Sequence, residues 1–84
     1  MDYRKIFARR LREAILADDR STRALAIRAG MHHSQIYTYT NGINIPSIDR
    51  AANLADALGV SLDWLMGRDS QKKSAATQDS AKTD

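Results

Sequence analysis

The sequence predicts an all-α protein built from five short helices in one domain, followed by a polar tail. Apolar residues recur at three- and four-residue intervals, the spacing of one face of a helix. Serine and glycine stand where successive helices would begin and end, as capping residues do. No stretch shows the alternation that is typical of a strand. The sequence therefore favours helices throughout.

The first three helices are predicted at residues 3–17, 22–29 and 33–40. The apolar stripe of the first helix consists of Tyr3, Phe7, Leu11, Ala14 and Ile15. The residues expected to face inward from the next two are Leu25, Ala26, Ala29, Ile36 and Tyr39. Ser21 is the expected N-cap of the second helix. Gly30 can adopt the left-handed conformation that ends a helix in a sharp turn, so residues 22–40 form a helix-turn-helix pattern.

The fourth and fifth helices are predicted at residues 48–58 and 62–66. Ser47 and Ser61 would cap them, and Gly59 and Gly67 would end them. The buried side of the fourth helix is expected to contain Ile48, Ala51, Ala52, Leu54, Ala55 and Leu58. Residues 68–84 have no apolar periodicity, and we expect a disordered tail there because such a segment buries too little surface to offset its ordering entropy. The folded domain is thus predicted to cover residues 1–67.

Composition and charge limit the classes of function. The chain contains no cysteine and no apolar run long enough to span a membrane, so we expect a soluble protein of the reducing cytoplasm. Residues 1–50 contain nine Lys or Arg and five Asp or Glu, whereas residues 51–69 contain one Arg and three Asp. A basic half fits a surface that faces a polyanion, although scattered surface charge explains the same numbers.

Two consecutive stretches carry a family resemblance. LAIRAGMHHSQIYTYTNG, followed by PSIDRAANLADALGVSLDWLMG, resembles the helix-turn-helix domain of phage repressors and Cro-like regulators, the XRE family. The resemblance covers residues 3–67. It implies a lambda-repressor-like fold of five helices, whose third helix enters the major groove of double-stranded DNA. It also implies a homodimer on a pseudo-palindromic operator.

The resemblance assigns base reading to the first two positions of the third helix and to one position a turn later. In this chain these residues are His33, Ser34 and Thr38, and each side chain can form hydrogen bonds with base edges. Tyr37 lies on the same face and could reach either a base or a phosphate. Asn44 matches a loop position that contacts DNA in lambda-type repressors. A surface role without DNA contact is the alternative for His33 and Tyr37.

Phosphate contacts are expected at the start of the second helix and the end of the third. The expected residues are Ser21, Thr22, Arg23 and Asn41, with Arg9, Arg10 and Arg50 as possible outer contacts. Three features differ from the family pattern. Thr22 replaces a common phosphate-binding Gln, the loop at residues 43–45 lacks its usual basic residues, and His32 occupies an N-cap position where Ser or Thr is commoner.

Other site types have little support in the sequence. His32 and His33 are adjacent, so they do not share a helical face, and no cysteine or suitably spaced acid completes a metal site. No nucleophile and base set, paired acids or glycine-rich phosphate loop indicates an enzyme, and no cofactor or small-molecule ligand is indicated. Trp64, Leu65 and Met66 either close the core or form a dimer interface, because an exposed apolar patch suggests a partner surface.

The sequence therefore predicts a sequence-specific transcriptional regulator of phage or prophage repressor type. An alternative is an antitoxin-type module that neutralises a partner toxin and regulates its own promoter. A neighbouring toxin-like reading frame would favour the antitoxin. The sequence leaves open whether the chain is a complete small regulator or part of a longer one. It also leaves open the operator, the regulated genes and the direction of regulation.

Overall fold

A computed structural model describes residues 2–68 and residue 72, and within them the chain forms five helices and no extended strand. The helices are α1 (Tyr3–Ala17), α2 (Thr22–Ala29), α3 (His33–Thr40), α4 (Ile48–Leu58) and α5 (Leu62–Leu65). The prediction of an all-α fold is confirmed, and α1 to α4 have the predicted bounds. α5 ends one residue early, because Met66 is its C-cap. None of these helices is both long and apolar enough to cross a membrane.

The predicted tail, residues 68–84, lies outside the described residues except for Arg68 and Lys72. Both of these residues contact the end of the domain. The Arg68 N–H donates to the carbonyl of Asp63 at 2.8 Å, and the Ser61 N–H donates to the carbonyl of Lys72 at 2.8 Å. At these two positions backbone hydrogen bonds join the chain to α5 and its N-cap.

Polar side chains begin the helices, as the sequence predicts. The hydroxyl groups of Ser21, Ser47 and Ser61 accept from backbone N–H groups three residues later, at 3.1, 3.3 and 3.0 Å. Asp2 caps α1 by accepting from the N–H of Arg4 at 3.1 Å. Each bond satisfies a donor that has no partner inside its helix.

Gly30 makes the turn between α2 and α3. Its φ of 75° lies in the left-handed region, and its N–H donates to the carbonyls of Ala26 and Ile27. The next residue, Met31, also donates to the carbonyl of Ala26, at 2.9 Å. These bonds pair carbonyls that would otherwise be free at the end of α2. The predicted turn is thus confirmed, and it holds α3 at a defined angle to α2.

The core is one cluster to which all five helices contribute. α1 packs against α3 and α5, and α2 packs against α3 and α4. The largest fully buried side chains are Phe7, Leu11, Leu25, Ile36, Leu54 and Leu65. Tyr39 is also buried, as predicted. α3 is therefore held through its Ile36 and Tyr39 side, and its opposite side remains available at the surface.

One prediction about the core is wrong. Ile48 was expected on the buried side of α4, but its side chain is 80% exposed. Ile48 shares a helical face with Ala51 and Ala55, yet it is the first residue of α4, and none of the described elements covers it. Ala57 is buried instead. Its single methyl group gives only a weak apolar signal in the sequence.

The connection between α1 and α2 is fixed to the end of α4. Arg20 binds the Asp18 carboxylate through Nε at 2.9 Å and Nη2 at 2.8 Å, and Nη2 also donates to the carbonyl of Ala57 at 2.7 Å. The hydrogen bonds from the Arg20 side chain, and then from its backbone N–H, lower the pKa of Asp18 to about 2. This connection sets the position at which α2 begins.

Candidate nucleic-acid interface

The predicted base-reading residues of α3 lie on the side opposite its buried residues. Ser34 and Tyr37 are exposed, and His33 and Thr38 are partly buried. Tyr37 is 51% exposed, whereas Ile36 and Tyr39 are within the core. The helix therefore presents four side chains with hydrogen-bonding groups along one open face.

Three aromatic rings form a row on this face. The rings of His32 and His33 stack at 4.7 Å between centroids with an interplanar angle of 24°. The ring of Tyr37 meets His33 edge-on at 6.0 Å and 86°. Partial burial lowers the pKa of His33, and the positive charge of Arg23 and the neighbouring His32 act in the same direction. These contributions favour the neutral form of the His33 ring.

The first turn of α3 has a reciprocal cap. His32 Nδ1 accepts from the N–H of Ser34 at 3.3 Å, and Gln35 Oε1 accepts from the N–H of His32 at 3.1 Å. The prediction that His32 occupies the N-cap is confirmed. Sequence reasoning missed Gln35, although a Gln three residues after an N-cap is the signal for such a cap.

An open groove of about 360 Å³ runs along one side of α3. It brings together three of the predicted base-reading residues, Ser34, Thr38 and Asn44, with Arg50 at its edge. The N–H of Asn44 donates to the carbonyl of Thr38 at 3.3 Å, which ties the loop to the end of the helix. The structure thus places a loop residue beside the polar face of α3.

A smaller groove of about 200 Å³ lies on the other side of α3, between α1 and α2. It joins Tyr37 to two of the predicted phosphate-binding residues, Thr22 and Asn41. Ser21 and Arg23 are exposed at the start of α2. The hydroxyl of Ser21 is already engaged as the N-cap acceptor, so its O–H proton is the part left for a phosphate.

A third groove, of about 550 Å³, extends from Asn41 along α1. Its basic side chains are Lys5, Arg9 and Arg12. Arg12 also donates to the carbonyl of Thr40 at 2.7 Å and so caps the end of α3. Sequence reasoning treated Arg9 only as a possible outer contact and missed the other two. Their spacing of four and then three residues places them on one side of a helix, which is the signal that could have identified them.

The residues predicted as a possible dimer interface lie mostly inside the chain. Trp64 and Leu65 are buried, and Met66 is partly buried against the core. Arg10 donates to the carbonyl of Trp64 at 3.2 Å, and its guanidinium lies 4.6 Å from the centre of the Trp64 ring. Lys72 Nζ lies 5.1 Å from the same centre. Arg10 is thus engaged at α5, away from the polar face of α3.

A search for metal sites covers the part of the chain that the structure describes. Over residues 2–68 and 72, no three His, Asp or Glu side chains are placed to hold a metal ion. The chemistry that the face of α3 offers is hydrogen bonding through hydroxyl, imidazole and amide groups, flanked by cations.

Comparison with known proteins gives one family. The helix-turn-helix family model HTH_3 matches residues 11–65, which is more than half of the chain. No curated protein and no solved structure gives a significant match. The matched residues include α2, α3 and the turn at Gly30.

Proposed function

Because the chain belongs to the XRE-type helix-turn-helix family of DNA-binding regulators, we propose that it is a sequence-specific transcriptional regulator of phage or prophage repressor type. α3 enters the major groove and reads base edges with His33, Ser34, Tyr37 and Thr38, and Asn44 contacts DNA from the adjoining loop. The observation that carries this proposal is the polar face of α3, which stands between two open grooves. A face of this kind can enter a DNA groove without displacing any part of the core.

Phosphate contacts flank the reading helix. Ser21, Thr22 and Arg23 at the start of α2 and Asn41 at the end of α3 bind one strand, because free N–H groups and a cation attract phosphate. The third groove, along α1, adds basic side chains next to Asn41. Arg50 lies at the edge of the groove that contains Ser34, Thr38 and Asn44. These contacts set the register of α3 but carry no base preference of their own.

The regulator acts as a homodimer on a pseudo-palindromic operator. Two copies of α3 then enter successive major grooves about 34 Å apart. Repression follows when the dimer occupies DNA that polymerase needs, with no chemical step by the protein. This mode requires only binding.

The double substitution His33→Ala with Ser34→Ala tests the reading helix. Both side chains lie outside the core, so we expect unchanged helical circular dichroism. We expect the preference for the selected operator over random DNA to be lost, because base contacts specify while phosphate contacts only position. Sequences selected from a random DNA pool supply the operator, and fluorescence anisotropy measures the two affinities.

Arg28→Ala is the control, since Arg28 is exposed near the far end of α2 and is expected to leave the preference intact. A double variant that keeps the operator preference would show that α3 is not the reading helix. A wild-type protein that selects no sequence from the pool would contradict the proposal as a whole.

A second candidate function is the antitoxin-type module. Exposed apolar side chains on three different helices favour a protein partner: Leu16, Ile27 and Ile48 are 80%, 75% and 80% exposed. Co-expression with the product of a neighbouring toxin-like reading frame is the test. Rescue of growth by the wild-type chain, and its loss in Ile27→Lys, would support the antitoxin function, and failure of rescue would exclude that partner.

A further inference from the structure

We propose that Ser34 and Thr38 act on DNA as hydrogen-bond acceptors only. They would then select bases that present an exocyclic amino group in the major groove, namely adenine and cytosine. This inference rests on the proposed base-reading role of α3 and adds the chemical class of base that two of its side chains read. It follows from where the hydroxyl protons of these residues are already directed.

The hydroxyl of Ser34 is directed by His32. The Nδ1 atom of His32 accepts from the backbone N–H of Ser34 at 3.3 Å. An accepting Nδ1 must carry a lone pair, and on that basis we assign the ring proton to Nε2. Ser34 Oγ lies 2.9 Å from the same Nδ1. Since Nδ1 has no proton to give, the hydroxyl must donate to it. Ser34 therefore has only lone pairs left to offer outward.

The hydroxyl of Thr38 is directed by the backbone of its own helix. Thr38 Oγ1 lies 2.7 Å from the carbonyl oxygen of Gln35. A carbonyl can only accept, so the Thr38 hydroxyl donates its single proton there. Thr38 therefore also presents lone pairs only. Two separate bonds, one to a side chain and one to the backbone, lead to the same result in the same groove.

The major groove contains few donors for such acceptors. Adenine N6 and cytosine N4 are donors, whereas guanine presents only O6 and N7 and thymine presents O4 and a methyl group. Every base pair presents one amino group in the major groove, on its adenine or its cytosine. An acceptor at a fixed place on α3 therefore distinguishes which strand holds that amino group. Guanine on the contacted strand is disfavoured, because its O6 and N7 are acceptors and would face the lone pairs of the hydroxyl oxygens.

The first experiment assigns one base position to each side chain. Sequences are selected from a random DNA pool with the wild-type protein, with Ser34→Ala and with Thr38→Val. Each variant is expected to relax the preference at one position of the half-site, where the wild-type protein selects adenine or cytosine on the contacted strand. Thr40→Val is the matched control, because Thr40 donates to the carbonyl of Tyr37 at 3.1 Å on another side of α3.

The second experiment changes the base itself at the position assigned to Ser34. For adenine, 2-aminopurine moves the amino group to the minor groove, and 7-deazaadenine removes N7 but keeps the amino group. We expect 2-aminopurine to weaken wild-type binding about three- to tenfold and 7-deazaadenine to have no effect. If the selected base is cytosine, the test analogue is 2-pyrimidinone, which lacks the amino group. The control is then 7-deazaguanine on the other strand. Ser34→Ala should be insensitive to every analogue.

The third experiment removes the His32 nitrogen to which the Ser34 hydroxyl donates. His32→Ser keeps a capping hydroxyl at the start of α3 but removes Nδ1. We expect this variant to accept guanine at the position read by Ser34 and to keep the wild-type preference at the position read by Thr38. A purely structural role of His32 would instead lower affinity for all sequences alike and leave the preferred base unchanged.

The outcomes separate the two proposals. If the wild-type protein selects no motif, the proposed function fails and this inference fails with it. If a motif is selected but Ser34→Ala and Thr38→Val relax no position, or the relaxed positions prefer guanine or thymine, the acceptor inference alone is overturned. Binding that is sensitive to 7-deazaadenine and insensitive to 2-aminopurine would also overturn it, because the hydroxyl would then be a donor.

Discussion

At the scale of single residues, the adjacent histidines His32 and His33 differ in their hydrogen bonds and in their roles in α3. His32 is held as an acceptor by the N–H of Ser34, and so it belongs to the framework of α3. His33 stacks on His32 and meets Tyr37 edge-on, and its pKa is lowered by partial burial and by the charge of Arg23. His33 is thus the histidine of this pair that lies on the predicted base-reading face of α3.

The affinity for DNA is predicted to increase as the pH falls. If the protonated ring of His33 binds a phosphate or a guanine acceptor, contact raises its pKa above that of the free protein. Binding then strengthens as the pH falls through the pKa in the complex. It levels off below the pKa in the free protein, which is lower than the usual value for histidine. The uptake of one proton on binding allows the affinity to change by at most about tenfold per pH unit. Anisotropy titrations from pH 7.5 to pH 5 at constant salt measure this slope.

His33→Gln separates this effect from other titrations, because glutamine forms hydrogen bonds without a charge change. We expect the pH slope to disappear in this variant. A slope that persists would assign the titration to His32 or to another group. A flat profile in the wild-type protein would show that His33 contacts DNA in its neutral form, or makes no contact.

At the scale of helices, the bounds could be predicted because local chemistry determines them. Serine caps and the turn at Gly30 depend on residues only a few positions apart, and the spacing of Phe7 and Leu11 reports the buried side of α1. The exposed Ile48 could not be predicted in this way. Its burial depends on whether another element reaches the first turn of α4, which is a tertiary property.

For the candidate site, the sequence predicts which side of α3 is buried and which is exposed. It does not predict the hydrogen-bond partners of the polar side chains. Apolar spacing places Ile36 and Tyr39 inside and so directs the polar residues of α3 outward. Periodicity carries no information on where a hydroxyl proton points, so the engagement of Ser34 and Thr38 emerges only from the structure. The bond from Arg12 to the end of α3 spans 28 positions of the sequence and is equally invisible to local patterns.

The basic side of α1 is predicted to contribute phosphate contacts that are independent of sequence. Arg9 shares an open groove with Asn41, the expected phosphate contact at the end of α3. Arg9→Ala should therefore weaken binding to operator and random DNA by the same factor. The slope of log affinity against log salt should decrease by about one, as for one lost phosphate contact. Titrations at several salt concentrations provide both values.

Arg28→Ala serves as the matched control, because it removes the same charge from an exposed position on α2. The net charge changes equally in the two variants, so only a local contact produces a difference in slope. If both variants reduce the slope equally, the effect is one of overall charge. A loss confined to the operator would contradict a phosphate role for Arg9.

At the scale of the whole molecule, α1 connects the surface beside α3 with α5. Arg12 caps the end of α3, and Arg10 binds Trp64. Two residues advance about 200° around a helix, so these arginines point to nearly opposite sides of α1. Since Trp64 and Leu65 are buried within the chain, Met66 is the residue of the predicted dimer group whose side chain is partly available to a second copy.

The homodimer is therefore predicted to depend on Met66. Met66→Gln keeps the length of the side chain but adds an amide that an apolar interface must desolvate. We expect sedimentation equilibrium to shift toward the monomer and operator binding to weaken, with similar helical circular dichroism. Leu16→Gln is the control. Leu16 is 80% exposed on α1, so this substitution also replaces an apolar side chain by an amide, but away from α5. An unchanged mass for Met66→Gln would exclude α5 from the interface. A shift to monomer in Leu16→Gln would instead place the interface at the end of α1, beside the smaller groove.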